Sequence, residues 1–128
     1  MPPGKRINTD AAPKAIGPYS QAMAVDKLVF LSGQIALDPQ TGNLVEGGIR
    51  EEARRVFDNL SAVAKASGGS LKDAVKLTIY LTDLGNFPIV NDIMAGYCAE
   101  PYPARATVQV SALPRNAVIE IDAVLALP

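Results

Sequence analysis

The sequence contains no histidine. That excludes imidazole acid–base chemistry, Ser-His-Asp triads and histidine-ligated zinc. Cysteine is almost as scarce. Cys98 stands alone, so no disulfide forms within the chain, and a single thiol fits a reducing, cytoplasmic setting. Neither sign of charge is in excess: 12 Lys and Arg face 13 Asp and Glu, for a formal net charge of −1 and a pI near 5.3. The chain therefore exerts no long-range pull on nucleic acid or an anionic bilayer, and neither is an expected partner. Apolar runs fall well short of a membrane span. The N-terminal Met1-Pro2-Pro3-Gly4-Lys5-Arg6 leads into Asn8-Thr9-Asp10 rather than an apolar stretch, which argues against a signal peptide. Gly42, Gly47 and Gly48 lack both the spacing and the following Lys-Ser/Thr of a phosphate loop. Any catalysis falls to carboxylates, Arg, Lys, Tyr, hydroxyls, Cys98 or the backbone.

What is present is a chain of 128 residues and 13.5 kDa, 48% hydrophobic, the size of one ordinary domain spanning residues 1–128. Residues 1–18 are rich in Pro, Gly and small polar residues and predict an irregular arm with a short edge strand near Ile7. Gln21–Val25 and Leu28–Ile35 read as two strands joined at Asp26-Lys27, a turn that lacks the favoured glycine. Asp38-Pro39-Gln40-Thr41-Gly42-Asn43 is a turn.

From Ile49 the period changes. Ile49, Ala53, Val56, Phe57, Leu60, Val63 and Ala64 share one helical face, and Glu51, Glu52, Arg54, Arg55, Asp58 and Lys65 cover the rest. Gly68-Gly69 stops that helix. Ala74–Leu81 is a strand. A second helix opens near Asn86, runs through Ile89, Ile93, Met94 and Tyr97, and ends before Pro101. Ala106–Val110 and Val118–Leu127 are the last strands, joined by a loop around Leu113-Pro114-Arg115-Asn116.

The order is ββαβαββ, an α+β chain. Right-handed crossovers place both helices on one face of a mixed sheet and leave the other face bare. Yet the last strand carries apolar residues on both sides: Ile119, Ile121, Ala123, Leu125 and Leu127 on one, Val118, Val124 and Ala126 among those on the other. Self-association is the economical cover.

Two charged residues stand out against this pattern. Glu120 lies in an apolar strand, where burial would raise its pKa toward the range useful for proton transfer. A wet strand rim or a structural salt bridge is the plainer alternative. Arg105 heads a strand whose period of two aligns Arg105, Thr107, Gln109 and Ser111 as a polar stripe, and its planar fork can grip a carboxylate. A surface ion pair is the plainer reading there. If residues 113–117 closed a hairpin, Glu120 would pair near residue 110 and Arg105 would sit about 16 Å away, too far for one shared site within a chain. A second copy could supply the missing half. Gly33, within a β-rich run, predicts a bulge or a close approach. Tyr19, after a Gly-Pro bend, presents its hydroxyl to a pocket or plugs the core edge. Cys98 has no neighbouring base in sequence and reads as a small buried hydrophobe.

Ile16-Gly17-Pro18-Tyr19-Ser20-Gln21-Ala22, Phe30-Leu31-Ser32-Gly33-Gln34-Ile35, Asp38-Pro39-Gln40-Thr41-Gly42, Asn59-Leu60, Lys76 to Asp83, Phe87 with Asn91, Pro103-Ala104-Arg105, Leu113-Pro114 and Glu120-Ile121-Asp122-Ala123 occur in order over residues 7–127. Together they closely resemble the RidA (YjgF) family. The resemblance implies a chorismate-mutase-like fold, a homotrimer with a ligand cleft at each interface, and no metal or organic cofactor. It also implies hydrolysis of reactive enamines and imines, chiefly 2-aminoacrylate and 2-iminobutanoate, to 2-oxoacids and ammonia. By the same resemblance Arg105 takes the substrate carboxylate, Glu120 positions or activates water, and Tyr19 closes the substrate end. Ser32, Gly33, Asn91 and Thr107 line the cleft. Two departures stand out: Thr107 replaces a common cysteine, and Met94 replaces a common tyrosine, a change expected to alter packing without touching the charged pair. The competing classes are a small-acid-binding regulator, a chaperone-like protein, a ribonuclease or translation inhibitor, and a deaminase for a larger, pathway-specific enamine.

Overall fold

The computed structural model describes residues 4–128. Of the expected irregular arm, residues 1–3 lie outside the described residues. Eight elements follow: β1 (Lys5–Ile7), β2 (Ala22–Val25), β3 (Leu28–Gln34), α1 (Ile49–Ala66), β4 (Ala74–Leu81), α2 (Phe87–Tyr97), β5 (Ala104–Gln109) and β6 (Ile119–Ala126). Each strand and helix read from the sequence is present, and β1 is the short edge strand at Ile7. Asp26 supplies the left-handed residue of the β2–β3 turn (φ 53°), a conformation that aspartate tolerates better than most residues.

The sheet runs β1-β2-β3-β6-β4-β5, with β4 and β5 parallel and every other pair antiparallel. This corrects the hairpin considered for the last two strands. β5 and β6 do not pair: β6 inserts between β3 and β4, and β5 is left at the far edge beyond β4. The physical reason is burial. Ile119, Ile121, Ala123 and Leu125 are the most continuously apolar row in the chain, and the central position removes all four from water. An edge position would have left part of that gain unrealised; Ile119, Ile121 and Leu125 are each worth about 1.5–3 kcal/mol when fully buried. The connection from β5 crosses β4, pinned where Val110 N–H donates to Leu81 O (2.8 Å) and Thr82 N–H donates to Val118 O (3.2 Å).

Both helices cover one face of the sheet. Val56, Phe57, Leu60, Val63 and Ala64 of α1 and Val90 and Met94 of α2 meet Val29 and Leu31 of β3, Leu77, Ile79 and Leu81 of β4, and the buried row of β6. Glu52 departs from the expectation that it covers the polar side. It is buried, and its carboxylate accepts Val118 N–H (3.1 Å), which ties the start of α1 to the approach into β6. Asn59 is fully buried seven residues on, and donates to Leu37 O (2.9 Å).

Among the described residues nothing covers the opposite face. Phe30 is 48% exposed and Val108 42%, with Leu28 and Val75 similarly bare. Glu120, Asp122, Val124 and Ala126 alternate with the buried row of β6 and lie half-buried on this open side.

Candidate functional site

Glu120 pairs with Tyr80 across β4 and β6 and stands on the open face. The neighbouring strand bulges there: Leu31 opposes Ala123 and Gln34 opposes Ile121, so β3 spends one residue more than β6, at Ser32-Gly33. Both expectations for Gly33 hold, because the bulge is also where the Glu120 side chain crosses the backbone. A Cβ at Gly33 would overlap the Glu120 carboxylate and come within 3.0 Å of its Cδ. Burial, then the nearby Asp122 charge, push the Glu120 pKa above the ordinary carboxylate value. Asp122 is itself engaged, accepting the Tyr80 hydroxyl at 3.1 Å.

Glu120, Gly33, Ser32 and Tyr19 share a cavity of about 590 Å³ whose outer wall includes Pro114 and Arg115. Tyr19 is 53% exposed, so it faces this cavity rather than plugging the core. Ser32 has a task of its own: its hydroxyl donates to Ser20 O (2.6 Å) and its N–H to Gln21 O (3.0 Å), fastening the segment that carries Tyr19. Gln21 received no role from the sequence. It is almost wholly buried, accepts Thr9 N–H (2.7 Å) and donates to Thr9 O (3.0 Å) and Pro13 O (2.8 Å), so it holds the arm as the cavity's far wall. A glutamine at the entrance of an apolar strand was the available signal.

Arg105 lies elsewhere. It pairs with Leu77, whose side chain is buried under the helices, so Arg105 and Thr107 stand on the helix side of β5 while Ala104, Ala106 and Val108 face the open side. Its Nη1 donates to Asn91 Oδ1 (2.5 Å) and touches Met94 Sδ (3.7 Å), and its Cζ sits 4.8 Å from the centre of the Phe87 ring. Met94 therefore does touch the arginine, contrary to expectation: an unbranched thioether reaches where it is needed. Arg105, Asn91 and Met94 line a second cavity of about 430 Å³ with Tyr102 and Pro103. The hydroxyl of Thr107 is buried and unpartnered on the same face of the strand.

The structure thus groups Tyr19, Ser32, Gly33 and Glu120 in one cavity, places Asn91 with Arg105 in another, and sets Thr107 two residues along from Arg105. The charged pair sits on opposite faces of the sheet, with β4 between their strands. The two do not meet within one chain, as foreseen, although the reason is the insertion of β6 and not a long hairpin. The ion-pair alternatives also fall away. Among the described residues the one salt bridge is Arg54–Glu51 (3.1 Å), so neither Arg105 nor Glu120 has an opposite charge as partner. No group of three His, Cys, Asp or Glu side chains among the described residues could hold a metal ion. No helix there is long and apolar enough to cross a membrane.

A six-stranded mixed sheet with two helices on one face and a cavity on each side defines a class of small α+β proteins, and solved structures share the fold. The family model described as Endoribonuclease L-PSP matches residues 9–127. Protein DfrA of Myxococcus xanthus is 56% identical over 122 residues, covering 94% of this chain and 93% of that protein. The 2-iminobutanoate/2-iminopropanoate deaminase of Dermatophagoides farinae is 44% identical over 127 residues, 99% of each chain. The crystal structure of RidA from an Antarctic Psychrobacter species superposes with a TM-score of 0.93 at 47% identity, over 96% of this chain and 99% of that one. The chain belongs to this family, the RidA (YjgF) family.

Proposed function

We propose that the protein is a 2-iminobutanoate/2-iminopropanoate deaminase, which hydrolyses reactive 2-enamino and 2-imino acids such as 2-aminoacrylate and 2-iminobutanoate to 2-oxoacids and ammonia. Relatives over nearly the whole chain carry that name. The observation that carries the reading is the state of its two charges. Arg105 is held by three neighbours and neutralised by none, and Glu120 has a raised pKa with no cation within salt-bridge distance. Each is a half-site waiting for a small, doubly functional ligand.

The halves join between copies. The bare sheet face, with Phe30, Leu28 and Val108 exposed, is apolar surface of the kind that assemblies cover, and a ring of three copies closes on itself. The homotrimer sets Arg105, Asn91 and Thr107 of one copy against Glu120, Tyr19, Ser32 and Gly33 of the next. The whole chain acts as one such unit, and the lone buried thiol of Cys98 suits a cytoplasmic setting.

In the shared cleft Arg105 grips the substrate carboxylate through two N–H groups and Tyr19 closes the far end. An enamine first takes a proton at C3 and becomes an iminium ion, electrophilic at C2. Glu120 receives a proton from water as the oxygen adds to C2, giving a carbinolamine, then passes it to nitrogen. The C–N bond breaks, ammonia leaves, and the C2 hydroxyl gives its proton to solvent as the carbonyl forms. A carboxylate with a raised pKa suits both transfers. The Thr107 hydroxyl supplies a further hydrogen bond to the ligand. The family model's endoribonuclease description gains nothing from this chain, which has no histidine and no basic excess.

The test is direct. Ammonia and 2-oxoacid should be released from freshly generated 2-aminoacrylate and 2-iminobutanoate well above the uncatalysed rate. Product formation at the uncatalysed rate would overturn the reading.

A further inference from the structure

Phe87 is the first residue of α2, half-buried, and its ring carries the Arg105 guanidinium with Cζ 4.8 Å from the centroid. It does not line the cavity in which Arg105, Asn91, Met94 and Tyr102 stand. The ring thus meets the cation from behind, away from the space a ligand would enter.

An arginine side chain has several free torsions, and its one strong hydrogen bond here, from Nη1 to Asn91 Oδ1, leaves the planar group free to swivel about that contact. A carboxylate partner would stop the swivel, but it would also consume two N–H donors and cancel the charge. An aromatic face stops it without either loss. It holds the cation through the ring quadrupole without accepting a conventional hydrogen bond, so the Nε–H and Nη2–H donors stay available.

We propose that Phe87 is a positioning residue for Arg105. Its ring fixes the plane of the guanidinium so that the unused N–H edge stays turned toward the ligand carboxylate. This rests on the functional reading above, because capturing a carboxylate is the task assigned to Arg105. Phe87 and Asn91 lie four residues apart on α2, so one helical turn presents both the face contact and the edge contact to the same guanidinium.

The experiment replaces Phe87 with Leu, Tyr and a series of mono-, di- and trifluorinated phenylalanines. It measures pyruvate binding, kcat and KM for imine hydrolysis, the thermal midpoint, and the ring-current shift of the Arg105 Nε–H resonance. F87L should weaken pyruvate binding and raise KM by about 3- to 30-fold with a smaller change in kcat, and F87Y should stay within twofold of the parent. Successive fluorines drain the ring quadrupole while nearly keeping its shape, so affinity should fall stepwise at an unchanged thermal midpoint. A residue that merely fills space would show no such series. The ring-current shift should vanish in F87L and persist in F87Y.

Affinity in F87L or the trifluoro protein within twofold of the parent would overturn the positioning role alone. A parent protein that shows the ring-current shift yet binds no 2-oxoacid would overturn the functional reading, and the positioning role with it.

Discussion

The two cavities are built on opposite plans. The Arg105 cavity is a cation fastened from three sides by Asn91, Met94 and Phe87, on an edge strand backed by α2. The Glu120 cavity is an acid laid over a bulge on a central strand, walled by an irregular arm that Gln21 and Ser32 tie down. One region is made stiff around a charge that never changes. The other is shaped around an acid whose pKa burial and Asp122 raise. Under the proposed function, binding demands a fixed geometry and proton transfer a tunable pKa, and the two cavities offer these in different places with different materials.

That contrast is broken most severely by removing the fixed charge. R105A should lower kcat/KM for imine hydrolysis by about 30- to 5,000-fold while the thermal midpoint stays close to the parent's, and R105K should recover little because it loses the planar fork. Activity of the alanine variant within twofold of the parent would remove Arg105 from the site.

E120Q should act on the other region alone. kcat should fall by about 100-fold or more with pyruvate binding retained, and the acid limb of the pH–rate profile should disappear. In the parent that limb should lie above the ordinary carboxylate range, because burial and Asp122 raise the Glu120 pKa and the base works only when ionised.

Mixing the two dead proteins sharpens the comparison further. If each cleft takes Arg105 from one copy and Glu120 from the next, every mixed trimer of R105A and E120Q subunits regains one intact cleft, and an equal, fully exchanged mixture should recover about a quarter of parental activity. No recovery after demonstrated subunit exchange would overturn the shared cleft.

G33A probes the fit of acid to bulge. Gly33 does not occupy the left-handed region, so the cost comes from collision with the Glu120 carboxylate: about 1–3 kcal/mol in urea unfolding, with roughly tenfold lower kcat. The same change in an E120A background should cost almost nothing in stability.

The smallest expected effect lies outside both cavities, at Glu52. Its pKa is raised by burial, only partly offset by the Val118 N–H bond, so the folded state holds its proton more tightly than the unfolded chain. The stability this contributes is full below the unfolded pKa near 4.5 and is lost as pH rises through the folded value. E52Q should therefore be more stable than the parent at pH 7.5 and similar at pH 4, with a flatter urea-midpoint profile between. A Gln variant less stable at both values would show that the carboxylate is needed as such.

How much of this was legible in the sequence depended on range. The ends of β2, β3, α1 and β4 follow from local chemistry: Asp26-Lys27, the 38–43 turn, Gly68-Gly69. Arg105 and Glu120 were conspicuous because charge is costly in strands of that composition. The neighbours of β6 were not legible, since strand pairing is decided by total burial across the sheet and a hairpin guess uses only adjacency. Glu52 was misjudged by its charge. It precedes Val56 by four residues and Asn59 by seven, which puts it on the buried stripe, and the angle outweighed the chemistry. Phe87 was visible as a residue but not as a support, because its partner is 18 positions away and reaches it only through the crossover.

The contact between Gly33 and Glu120 also bears on how such a protein changes over generations. A side chain at position 33 and a long acid at position 120 claim the same space, so the two positions drift as one. A lineage that keeps the acid accepts a side chain at 33 only by moving the carboxylate aside. A lineage that first gives up the acid finds the bulge open to a small residue, and each residue that settles there makes the acid's return costlier. Loss of the glutamate would thus work as a ratchet, and a residue other than glycine at position 33 would mark, from sequence alone, a descendant that has left this chemistry behind.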